Sequence, residues 1–229
     1  MSPAQARMNT LWQRAMAAGK AGAWDQAEGW LRLLVRMGLE TPELQVLVGD
    51  ALGHALLVQG EHRRCEMELR PLLTIPMPPR TFWVSQKLAD ALRGQRRLGE
   101  SLEIYRQCMA EGSTSPITFQ NYLEALEMDQ AGAGVDQLEQ WLAVYDATHP
   151  CWEGCNLAAG RIADQRLIDW LVERGHSDAA SRRRWLERCL YRFDLATVLP
   201  VLGGGAELSP WDRKLQQRLL DLGFMVAAD

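Results

Sequence analysis

A segment of about 37 residues recurs four times between Met8 and Pro150. Its clearest trace is one position, occupied by Ala27, Cys65, Ser101 and Leu138, with spacings of 38, 36 and 37 residues. A unit this short cannot bury its own hydrophobic face, so neighbouring units must stack and share a core. The repeat therefore predicts an array rather than one closed globule. Arrays mostly hold partners, because they build an extended curved surface.

Each unit reads as two helices of about 15 residues around a Gly-bearing turn. The pairs fall at about 4–40, 43–75, 80–113 and 117–149, with turns near Gly19–Gly22, Gly60, Gly94 and Gly132–Gly134. Leu31, Leu34, Val35 and Leu39 line one helix face, as do Leu88, Ala91 and Leu92, and then Leu98, Leu102 and Tyr105. That spacing follows the helical period, and no segment alternates as a strand would. The fold class is all-α. Ser2-Pro3, Thr41-Pro42, Ser115-Pro116 and Ser209-Pro210 each place a hydroxyl N-cap before a proline, a strong helix start. Gln5 and Asp212 stand near the capping-box position. Pro71 should kink the fourth helix, and 75–79, with three prolines, must be extended.

After Pro150 the period is lost. Helical patterns continue at about 156–174, 178–193 and 210–222, with Gly203-Gly204-Gly205 as a break before the apolar tail Phe224-Met225-Val226. Residues 151–229 are expected to form a helical extension and C-terminal cap, which an array needs to cover its last apolar face.

Charge narrows the function classes. The chain carries 22 Arg, three Lys and a net charge of −4, which argues against a general nucleic-acid binder. The deficit lies in residues 1–150, with 14 basic and 18 acidic residues; residues 151–229 hold 11 of each. No stretch reaches the length of a membrane span, and no signal peptide is visible. Five Cys without a regular framework point to reduced thiols in a cytoplasm.

No constellation demands catalysis. Cys151 and Cys155, with His149, His176 and Cys189, contain thiolate and imidazole ligands, but the second close pair of a zinc site is missing. Cys65 and Cys108 fall at small-residue packing positions. Arg182-Arg183-Arg184 with Arg188 and Arg192 makes a basic helix face, read as solvated and paired with Glu187 and Asp178 rather than as an anion site. Trp24, Trp30, Trp141, Trp170 and Trp185 lie at helical positions and read as core. The sequence implies no cofactor, no metal and no enzyme.

The repeats resemble tetratricopeptide repeats. Leu52-Gly53 and Leu88-Ala89 match that family's mid-helix pair in the first helix. Ser101, Tyr105 and Cys108 match its small–aromatic–small trio in the second, and Leu138, Leu142, Tyr145 and Pro150 fall in the corresponding places of the fourth unit. Ala15, Ala27, Leu31 and Leu34 do so in the first, where the aromatic is lacking. The period exceeds the family's usual length of about 34 residues. The resemblance implies a right-handed superhelix whose concave face is lined by the first helix of each pair. By position that face would present Trp12, Met16, Asp50, His54, Trp83, Gln86, Asp90, Arg93, Leu123 and Glu127. Some family members clamp the terminal carboxylates of heat-shock chaperones with Lys and Asn at places held here by Trp12, Met16, Asp50 and His54. An acidic or apolar lining cannot hold a carboxylate, so an apolar or basic peptide is the expected ligand.

The expected role is thus a protein–protein interaction module: an adaptor, assembly factor or chaperone gripping a partner segment with Trp12 and Trp83. The alternatives are an obligate accessory subunit of an enzyme or secretion complex, a homo-oligomer formed through the C-terminal cap, and an enzyme or anionic-ligand or RNA binder whose site forms only in the fold.

Overall fold

The computed structural model describes residues 2–75, 80–145, 148–159, 161–162, 183, 186–187, 189–190, 194–203 and 208–225. Among the described residues all regular structure is helical and there is no strand. None of these helices is long and apolar enough to cross a membrane. The chain divides into two compact units, Met1–Ser113 and Thr114–Asp229.

The first unit holds three helix pairs: α1 (Pro3–Lys20) with α2 (Trp24–Arg36), α3 (Pro42–Val58) with α4 (His62–Leu69), and α5 (Arg80–Gly94) with α6 (Leu98–Ala110). Their starts follow local chemistry. Ser2 Oγ accepts from the Gln5 N–H at 3.1 Å and Thr41 Oγ1 from the Leu44 N–H at 3.3 Å, each just before a proline. Helix α4 does not kink at Pro71; it ends at Leu69 and tightens into a 3-10 turn, Arg70–Thr74. Proline has no N–H for the α-helical bond, so the backbone closes a shorter turn. The third inter-helix turn also differs in detail. Its left-handed residue is Arg96, at φ 63°, the counterpart of Gly22 and Gly60 in the earlier pairs. An L-residue there costs about 1 kcal/mol.

Packing repeats with the sequence. Within the first unit each first helix packs on its own second helix, and α2 and α4 pack on the next first helix, α3 and α5. The tracer position is buried at Ala27, Cys65 and Ser101. Cys65 Sγ donates to the Gly53 carbonyl at 3.3 Å, and Ser101 Oγ to the Ala89 carbonyl at 2.8 Å. Both bonds reach back 12 residues, so pairs two and three close in one way. The shared core contains Leu31, Leu34, Val46, Leu52, Leu56, Leu88 and Leu92. Each such Leu contributes about 1.5–3 kcal/mol relative to exposure.

The second helices are joined by charge. Glu28 of α2 pairs with Arg64 of α4, and Arg32 with Glu68 at 3.0 Å. One pair further, Glu66 of α4 meets Arg97 at 2.8 Å, and Arg70 meets Glu100 at 3.6 Å. Gln59 and Gln95 reinforce these junctions. Each donates to its own helix, at Ala55 or Ala91, and to the preceding carboxylate, Glu28 at 3.1 Å or Glu66 at 2.8 Å.

This ladder makes stability acid-sensitive. Burial pushes the Glu66 carboxyl up, but donation from Gln95, Arg70 and Arg97 outweighs it and holds the group down at about 2. Glu28 is lowered likewise, burial being outweighed by Arg32, Gln59 and Arg64. A carboxyl with a folded value below its unfolded value adds stability that is complete above the unfolded value and is lost as pH falls through the folded one. Urea denaturation should therefore show stability falling between about pH 5 and about pH 2, and Glu66→Gln should flatten that fall. An unchanged profile in Glu66→Gln would remove Glu66 as its source.

The second unit contains the fourth pair, α7 (Pro116–Asp129) and α8 (Ala133–Val144), then α9 (Cys151–Ala159), α10 (Leu195–Gly203) and α11 (Pro210–Asp221). Leu138, the fourth tracer residue, is buried. Ser115 stands at the N-cap of α7, but its hydroxyl does not cap the helix. Helix α9 crosses α7 closely at Gly154, where a Cβ would lie 2.6 Å from the Pro116 carbonyl oxygen. It begins at Cys151, earlier than the pattern at 156 suggested, because His149 Nδ1 accepts the Cys151 N–H at 3.2 Å. Helix α11 carries the full capping box: Ser209 Oγ accepts from the Asp212 N–H, and Asp212 accepts from the Ser209 N–H at 3.0 Å. The expected extended segment at 76–79, most of the helical patterns at 156–174 and 178–193, Trp170, His176, Trp185, Gly204-Gly205 and Val226 lie outside the described residues.

Candidate functional site

The first unit opens a cleft along its first helices. Helices α3 and α5 pack directly, whereas α1 is held to the unit through α2. The space left between α1 and α3 is about 480 Å³. Ala15, Met16, Gly19 and Lys20 of α1 form one wall, and Asp50, Ala51, His54 and Ala55 of α3 the other. Trp24, Ala27 and Leu31 of α2 also line it, as does Lys87 of α5.

Its polar groups are already arranged. Lys87 Nζ donates to Asp50 Oδ1 at 2.6 Å, linking α5 to α3 across 37 residues. His54 meets the Trp24 ring edge-on at 5.2 Å. Burial lowers the His54 pKa, the Lys87 charge lowers it further, and Asp50 opposes them. The imidazole is therefore neutral at physiological pH. Met16, 38% exposed, stands at the margin. Trp83, 52% exposed, lies one turn before Lys87 on α5 and shares its face.

The structure thus brings Met16, Asp50 and His54 of the expected set to one cleft, and Trp83 stands outside its lining, one turn from Lys87. Other expected residues are employed differently. Trp12 is not an open anchor: it is half-buried, packs against the core, and lines a separate hollow of about 250 Å³ with Leu34, Leu39, Leu44 and Val48. Asp90 accepts from the buried Tyr105 hydroxyl and lies 3.7 Å from Arg93. Gln86 is half-buried on the same helix.

In the second unit, Leu123 is 0% exposed, so it is core and offers no surface to a ligand. The Glu127 carboxylate accepts the Gly132 N–H at 2.9 Å and the Gly134 N–H at 3.3 Å. It caps α8, which starts after a left-handed Gly132 and has no hydroxyl cap of its own.

These pairings correct the acidic lining expected of the groove. Asp50 is neutralised by Lys87, and Asp90 is held by Tyr105 and Arg93. Lys20, Lys87 and Trp24 line the cleft as well, although the repeat register does not place them in the groove. A signal for the lysines existed: the chain prefers Arg overwhelmingly, and two of its three lysines line this cleft.

The thiols are packing groups. All five are free and buried, and burial pushes Cys65 up to about 12 and Cys108 up to about 11. A thiol so raised carries little thiolate at neutral pH. Among the described residues no three His, Cys, Asp or Glu side chains gather as a metal site. Of the basic face, Arg183 pairs with Glu187 at 2.8 Å and lies over the Trp211 ring; Arg182, Arg184, Arg188 and Arg192 lie outside the described residues. No protein-family model matches the chain, and no curated protein matches its sequence.

Proposed function

We propose that the chain is a protein–protein interaction module, an adaptor, assembly factor or chaperone, that receives a partner segment in the cleft between α1 and α3. The helix pairs would wind as a right-handed, tetratricopeptide-like superhelix with a helical C-terminal cap. The recurrent Cys65 and Ser101 bonds and the alternating packing of first and second helices support that arrangement. A cytoplasmic setting suits the five buried thiols.

The observation that carries the reading is the cleft, open and mostly apolar, with exposed Met16 on its wall and exposed Trp83 one helical turn from its Lys87. An apolar side chain of the partner fits its walls. The Asp50–Lys87 pair and neutral His54 offer donors and acceptors to the backbone beside that side chain, which fixes register more than affinity. No catalytic step, metal or cofactor belongs to this reading.

A photo-crosslinking residue at position 16 should capture the partner segment, while the same residue at the exposed Met67 of α4 should not. With that segment as a peptide, Trp83→Ala should weaken binding by more than about 1 kcal/mol with the melting temperature unchanged. Capture at 67 alone, or a stability loss in Trp83→Ala, would move the site elsewhere. A second reading, permanent attachment to a larger complex or to a second copy, rests on Leu222 and Phe224, both more than half exposed after α11.

A further inference from the structure

The first helix pair has a second surface, on the side away from α3. Inside the unit, each second helix shows a back face to the preceding pair. On α4 this face carries Arg64 and Glu68, which meet Glu28 and Arg32 of α2. The same positions of α2, 38 residues earlier, hold Gln26 and Trp30. No helix precedes α1 and α2 in the described residues, and Gln26, Gly29, Trp30 and Leu33 line an open hollow of about 310 Å³ there.

A second hollow of about 360 Å³ adjoins it, lined by Arg7, Leu11 and Arg14 of α1 and by Met37. Arg14 lies over the Trp30 ring at 5.1 Å and joins the two. Leu33 and Met37, one turn apart, are each 40% exposed. Leu52 and Leu88 fill the Arg14 position in the later pairs, where both are buried in the core. This face keeps the half-buried Trp30 and Leu11 and the exposed Leu33 and Met37 beside Arg7 and Arg14, which have no carboxylate partner among the described residues.

We propose that this back face of α1 and α2 is a second docking surface, and that it takes an amphipathic helix of a partner protein whose apolar stripe is flanked by carboxylates. The molecule shows the same solution at its own junctions, where the covering helix supplies Glu28 or Glu66 to an arginine of the next pair. Charge argues against two copies meeting through this face, since Arg7 and Arg14 would meet their equivalents and no carboxylate lines either hollow. The surface is separate from the cleft: on α1, Arg7 and Arg14 point away from the wall that carries Met16.

The test uses the full chain and two labelled peptides of about five helical turns, each with one Leu stripe, flanked by Glu in one and by Lys in the other. Fluorescence anisotropy should show the Glu peptide binding at least about tenfold more tightly. The double variant Leu33→Glu, Met37→Glu should abolish that binding with melting unchanged, both side chains being exposed. Met16→Glu, in the cleft, should leave it intact. Equal binding of the two peptides, no binding of the Glu peptide, or loss in Met16→Glu alone would overturn the proposal. So would a dimer in sedimentation that dissociates in the double variant, because a second copy would then be the occupant.

Discussion

Leu88→Asp should unfold the first unit. Leu88 is buried in the core shared by α3 and α5, among Leu52, Leu56 and Leu92. The substitution removes about 1.5–3 kcal/mol of hydrophobic burial. It also places a carboxylate where no donor waits, at a cost of several kcal/mol more. Together these take most of the roughly 5–15 kcal/mol that holds a domain folded. Leu88→Ala, which leaves only a cavity, should cost about 2–5 kcal/mol and remain folded. Circular dichroism and hydrogen exchange over residues 3–113 read both. Native helicity and protection in Leu88→Asp would place Leu88 outside the core.

Gly53→Val should cost about 3 kcal/mol, for a steric reason. A Cβ at Gly53 would lie 2.6 Å from Cδ2 of Leu69 and 3.0 Å from its Cδ1. Leu69 is fully buried, so it has nowhere to turn. Movement of α3 would also break the bond from Cys65 Sγ to the Gly53 carbonyl. Gly49 provides the control. Its Cβ would meet Leu72 Cδ1 at 2.4 Å, but Leu72 is half-buried and can rotate toward solvent. Alanine also improves helix propensity over glycine by about 1 kcal/mol, so Gly49→Ala should be close to neutral in urea titrations. A loss at Gly49→Ala as large as that at Gly53→Val would show that Leu72 is held as firmly as Leu69.

The helices of the first 150 residues were legible because their determinants are local. A cap involves a hydroxyl and an N–H three residues on, as at Ser2 and Thr41. Helical periodicity is read over a few turns, and α1 to α8 begin and end within a few residues of their expected bounds, apart from the shortened α4. The small tracer residues were legible too, because Ala27, Cys65 and Ser101 mark where a second helix presses on its neighbour. Past Pro150 the signal weakened. The start of α9 depends on the side chain of His149, which periodicity does not register.

The candidate site was less legible, because exposure depends on how far each helix is turned about its axis. One residue of register is about 100° of rotation. That rotation carries Trp12 against the core and buries Leu123, while Met16 and His54 stay at the cleft. Charge was hidden for another reason. Asp50 finds Lys87 37 residues away, and Asp90 takes a hydrogen bond from Tyr105 on the following helix with Arg93 3.7 Å off, so an apparently acidic face carries paired acids. The sequence by itself determined the all-helical repeat, its pairing and most of its caps, since these arise among near neighbours in the chain. Only the tertiary structure decided which faces stay open and which charges stay unpaired, because those depend on contacts between residues that the chain keeps far apart.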